Sequence, residues 1–77
     1  MVLACILIWC EAGKHNKVVG ELKKLKGVKK AFAVHGRWDV VSEVEVANLR
    51  VLGGLALKIN GLEAIRATET LVGFQEG

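Results

Sequence analysis

The 77-residue sequence predicts a single α+β domain of the ferredoxin-like kind: a four-stranded antiparallel sheet with two helices on one face, in the order β-α-β-β-α-β. Three observations predict it. Residues 2–9 form a β-favouring run that is apolar on both alternating faces. Residues 14–26 and 47–59 carry apolar residues at helical spacing. Three further strand-like runs, at 28–35, 40–46 and 65–74, fall so that the middle two form a hairpin and each helix is a crossover. Right-handed crossovers then give the sheet order 4-1-3-2, with the first strand central.

The first strand presents Val2, Ala4, Ile6 and Ile8 on one face and Leu3, Cys5, Leu7 and Trp9 on the other. Glu11-Ala12-Gly13 breaks it. In the first helix Val18, Val19, Leu22 and Leu25 make the apolar stripe, and Lys14, Lys17, Lys23, Lys24 and Lys26 occupy the other sides. Gly27 stands where a helix C-terminal glycine belongs. The second strand places Val28, Phe32 and Val34 on one face. The third sets Val40, Val44 and Val46 opposite Glu43 and Glu45.

The second helix has Leu49, Leu52, Leu55, Ala56 and Ile59 as its stripe, and Asn60-Gly61 ends it. Gly53-Gly54 inside it costs about 1 kcal/mol per glycine relative to alanine, which suggests close approach to the sheet or to a neighbouring subunit. The last strand puts Thr68 and Thr70 on one face and Glu69 on the other, and Gln75-Glu76-Gly77 is expected to fray.

Two helices cover only one side of a sheet whose central strand is apolar on both. A chain this short is one domain, and folding buries only about 60% of the surface its unfolded form exposes. Yet 52% of its residues are hydrophobic and the mean hydropathy is +0.37. The simplest cover for the open face is a second copy, sheet against sheet.

The formal charge of +3 permits an anionic partner without requiring one. Two cysteines, Cys5 and Cys10, are too few for a disulfide framework, do not match a common zinc spacing, and point to opposite faces of one strand. They read as buried or edge thiols in a reducing compartment. The opening apolar run is too short to span a bilayer and lacks the basic start of a signal peptide, so the cytoplasm is expected.

No catalytic constellation appears, and neither an enzyme nor a cofactor is expected. His15 and His35 have no nucleophile at a telling spacing, and there is no glycine-rich phosphate loop. The run Lys23, Lys24, Lys26, Lys29 and Lys30 reads as a solvated charged face. The chain has no room for a helix-turn-helix beside this fold and lacks paired sheet aromatics for stacking bases, so sequence-specific DNA binding is not expected.

The stretch that stands out is His35-Gly36-Arg37-Trp38-Asp39. Gly36-Arg37 suits the centre of a two-residue II′ hairpin turn, since glycine accepts the positive φ required there. Arg37 and free loop N–H groups can hold a carboxylate, while Asp39 or Glu69 can hold an ammonium, and Thr68 and Thr70 add hydroxyls. Those are the needs of a free amino acid. The plainer reading is that Asp39 braces the turn and Trp38 plugs a core edge.

The pattern Val28-x-x-Ala31-Phe32-Ala33-Val34-x-Gly36-x-Trp38-Asp39-Val40-Val41, followed by Asn60-Gly61-Leu62 and Ala67-Thr68-Glu69-Thr70-Leu71, resembles the effector-binding (RAM) domain of the Lrp/AsnC transcription regulators. The resemblance covers nearly the whole chain. It implies a subunit that dimerises through its sheets, often assembles further into octamers or similar rings, and binds amino acids or related metabolites between subunits. Carried over, the effector region falls on Gly36, Arg37, Trp38, Asp39, Thr68, Glu69 and Thr70, with no metal ligand among them.

Full-length members carry an N-terminal helix-turn-helix, whereas this chain begins at the first strand and so resembles the stand-alone form. Full-length regulators are then further partners in mixed oligomers. Trp38 stands where tyrosine is usual, and Arg37 adds a charge. The alternatives are a structural oligomerisation module without a ligand and an ACT-like amino-acid-binding domain with the same strand order.

Overall fold

The computed structural model describes residues 1–73. Its elements follow the expected order: β1 (Val2–Cys10), α1 (His15–Lys23), β2 (Val28–Ala33), β3 (Val40–Val46), α2 (Leu49–Asn60) and β4 (Ile65–Val72). The four strands form one antiparallel sheet in the order β2-β3-β1-β4, with β1 paired on both sides. The expected extension of the last strand to Phe74 and the fraying of Gln75, Glu76 and Gly77 lie outside the described residues. No helix among the described residues is long and apolar enough to cross a membrane.

The core lies between the helices and one face of the sheet. Ala4, Ile6, Ile8 and Cys10 of β1 and Val40, Val44 and Val46 of β3 pack against Val18 and Leu22 of α1 and Leu52, Leu55 and Ile59 of α2. Ile6, Ile8, Leu22 and Ile59 are fully buried, each contributing about 1.5–3 kcal/mol relative to exposure. Ser42 is the buried polar residue of this core, and its hydroxyl donates to the Ile6 carbonyl at 3.0 Å.

The opposite face of the sheet carries Leu3, Cys5, Leu7 and Trp9 beside Val41, Phe32 and Leu71, as the register places them. Leu3, Trp9, Phe32 and Leu71 are each about half exposed: 49%, 53%, 43% and 48%. Among the described residues nothing covers this apolar face.

Several local features depart from the sequence expectation. Phe32 does not share a face with Val28. The β2–β3 register slips between Val28 and Lys30, so Ala31 turns into the core and Phe32 turns out beside Val41. Helix α1 stops at Lys23, and tight turns carry the chain to Gly27, which takes φ +99°. A Cβ on Gly27 would sit 3.0 Å from Val46 Cγ1. Helix α2 begins two residues later than expected because Asn48 caps it, its side chain accepting from the Val51 N–H at 2.9 Å.

Leu49 consequently lies on the first turn and is exposed. A Cβ on Gly53 or Gly54 would meet nothing within 4 Å, so neither glycine serves a close approach to the sheet.

Candidate functional site

The β2–β3 connection is wider than the two-residue turn expected from Gly36-Arg37. The Val34 N–H donates to the Asp39 carbonyl at 2.9 Å, enclosing His35, Gly36, Arg37 and Trp38 in the loop. Gly36 takes φ +145°, in this wider loop rather than in the II′ turn expected. Gly36 and Arg37 are exposed, while Trp38 and Asp39 are half-buried.

Asp39 fastens this loop to the centre of the sheet. Its N–H donates to the Ile8 carbonyl at 2.9 Å. The β1–β3 ladder stops at Ile8 and Val40, and beyond it the Asp39 Oδ2 accepts from the Cys10 N–H at 2.9 Å. Oδ1 lies 3.3 Å from Nε2 of His15, the first residue of α1. One carboxylate thus joins the hairpin, the end of β1 and the start of α1. Two of its roughly four acceptor positions are used within the chain.

The rings of Trp9, near the end of β1, and Trp38, in the loop, pack edge to face. The Cys10 thiol is pushed up from its ordinary value, first by burial and then by the Asp39 and Glu11 charges, with a backbone hydrogen bond acting the other way. It is therefore a protonated thiol at neutral pH and a poor nucleophile.

The remaining predicted residues lie on β4. Thr68 pairs with Ile8 and Thr70 with Ile6, so both hydroxyl residues stand on the helix-covered face at the sheet edge. Glu69 pairs with Leu7 on the open face. Within one chain the hairpin residues Gly36, Arg37, Trp38 and Asp39 form one group, and β1 separates them from Thr68, Glu69 and Thr70.

Two clefts among the described residues lie away from these residues. One, of about 520 Å³, lies at the far end of the sheet around Gly27, Val28 and Val46. The other, of about 320 Å³, lies along Leu3, Cys5, Glu43 and Leu71.

Sequence reasoning missed Cys10 and His15 as partners of Asp39. They stand 29 and 24 positions from it, and no local spacing signals such a contact.

Comparison with known proteins gives a consistent picture. The model of the Lrp/AsnC ligand binding domain family matches residues 3–76. A curated relative, the HTH-type transcriptional regulator FL11 of Pyrococcus furiosus, is 27% identical over 71 residues, covering 92% of this chain and 47% of FL11. The chain thus spans about half the length of that regulator. Among solved structures, a hypothetical protein, PHS023, from Pyrococcus horikoshii superposes with a TM-score of 0.89 at 34% identity, over 99% of this chain and 93% of that one. AsnC of E. coli superposes with a TM-score of 0.89 at 25% identity, over 97% of this chain and 52% of that one.

Proposed function

Because the chain belongs to the Lrp/AsnC ligand binding domain family, we propose that it is an amino-acid-sensing regulatory subunit rather than an enzyme. Two copies close sheet to sheet, and an amino acid or related metabolite binds where subunits meet. The observation that carries this reading is the uncovered apolar sheet face, with an exposed glycine–arginine loop at one end. Its half-exposed leucine, phenylalanine and tryptophan side chains favour a partner surface.

In this reading Gly36 and its neighbours present backbone N–H groups, and Arg37 presents its guanidinium, to the effector carboxylate. Asp39 holds the loop in place and offers its remaining acceptor positions to the ammonium. Trp38 supplies an apolar wall. Thr68, Glu69 and Thr70 come from a neighbouring subunit's β4, because within one chain they stand across β1 from the hairpin. The dimer assembles further, to an octamer or a comparable ring, and joins full-length regulators of the family.

A thermal-shift screen against the free amino acids, followed by calorimetry on any hit and on Arg37→Gln, tests the reading. One amino acid should raise the melting temperature, and Arg37→Gln should weaken its binding by about 1.5–3 kcal/mol. No response to any amino acid at millimolar concentration would favour the second reading, a structural oligomerisation module. The internal use of the Asp39 carboxylate on Cys10 and His15 supports that second reading.

A further inference from the structure

The end of β1, the start of α1 and the β2–β3 loop bring three unlike donor groups together. A ligand atom each from Cys10, His15 and Asp39 lies within 4.8 Å of the others. The Cys10 side chain is buried, and those of His15 and Asp39 are partly exposed. Cys10 is a free thiol.

We propose that Cys10, His15 and Asp39 form a binding site for a divalent transition-metal ion of the zinc class, with a fourth position open to water or a ligand. The proposal stands on this geometry alone and does not depend on amino-acid binding.

The spacing fits tetrahedral coordination. Zinc bonds of about 2.0–2.2 Å to nitrogen and oxygen at tetrahedral angles separate those two atoms by about 3.3 Å. The His15 Nε2 to Asp39 Oδ1 distance is 3.3 Å. A thiolate at about 2.3 Å from the same ion stands about 3.6 Å from either donor. Reaching that distance is a matter of side-chain rotation, since one ligand atom from each of the three residues already lies within 4.8 Å of the others.

The donor set of one sulfur, one imidazole and one carboxylate suits zinc or cobalt better than calcium or magnesium, which take oxygen ligands. The orientation is also prepared. Asp39 Oδ2 is held by the Cys10 N–H, which leaves Oδ1 as the coordinating atom and fixes the plane of the carboxylate. On binding, a metal–sulfur bond replaces the Cys10 S–H bond, and the proton passes to solvent. The ion replaces the His15–Asp39 contact and ties three elements through one centre.

Titration of the purified chain with cobalt(II), read by absorption, tests this. The expected result is one cobalt per chain, a thiolate-to-cobalt charge-transfer band in the near ultraviolet, visible bands of tetrahedral intensity, and displacement by zinc. Cys10→Ser should abolish the charge-transfer band. His15→Ala, at a partly exposed helix start, should weaken binding about tenfold or more, with circular dichroism confirming that the variant is folded. Cys5→Ser serves as the control and should bind as the parent does. The proposal is overturned if no thiolate band forms, if Cys5→Ser removes it, or if His15→Ala binds cobalt as tightly as the parent.

Discussion

The rings of Trp9 and Trp38 meet edge to face, with centroids 6.2 Å apart and planes at 66°. They are the only tryptophans in the chain, so they report on the hairpin without an added probe. The pair spans the end of β1 and the β2–β3 loop, and its coupling is expected to contribute about 0.5–1.5 kcal/mol beyond burial. A double-mutant cycle with Trp9→Leu and Trp38→Leu, read by denaturant unfolding, measures it. Additive effects would mean the rings are neighbours without interaction.

Asp39 offers a graded test. Asp39→Asn keeps an oxygen for the Cys10 N–H and should cost less than about 1 kcal/mol, because the other contact it weakens is partly solvated. Asp39→Ala leaves that N–H without its partner and should cost about 1–3 kcal/mol. Equal losses in the two variants would show that the charge, not the cap on β1, is what matters.

Leu7 lies on the open face, paired with Val41 and Glu69, and takes no part in the helix-side core. Leu7→Asp places a carboxylate where a second sheet would cover it, a burial that costs several kcal/mol when unpaired. Because Leu7 lies outside the helix-side core, sedimentation should show a monomer whose circular dichroism and melting remain those of a folded chain. A dimer that persists in this variant would place the subunit contact elsewhere.

Two glycines should respond oppositely to alanine. Gly27→Ala forces a side chain into a left-handed conformation against Val46 and should cost about 1–2 kcal/mol or more. Gly53→Ala adds a methyl in open space on a helix and should gain up to about 1 kcal/mol. Unfolding midpoints of the two variants check both signs. If Gly53→Ala instead shifts the assembly size, α2 carries a subunit contact.

The strands were legible wherever the two-residue period ran unbroken. In β3 the buried set is the one the alternation picks out, while β1, apolar on both faces, left open which of its faces the helices cover. In β2 the slip between Val28 and Lys30 reverses the parity, and the lysines there carry no mark of a bulge, so Phe32 was assigned to the wrong side. The reading of the second helix from residue 47 missed the Asn48 cap, and the late start of α2 follows from that cap. At the hairpin, residue types revealed an arginine, a tryptophan and a carboxylate on one loop. That the carboxylate turns back onto Cys10 and His15 depends on the closing of the whole sheet, which no stretch of sequence encodes by itself.

The central place of β1 also governs the order in which the chain can be assembled. It comes earliest in the order of the sheet's strands, yet Val2 finds its partner in Val46 and Ala4 finds its other partner in Val72. The two edges of β1 are therefore closed in turn, one once β3 is available and the other only once β4 is. Pairing so distant in sequence slows folding and lengthens the time that bare strand edges are open to other chains. The same strand that makes the sheet cohesive is its chief hazard during synthesis, and loss of β4 by early termination would leave that edge permanently open.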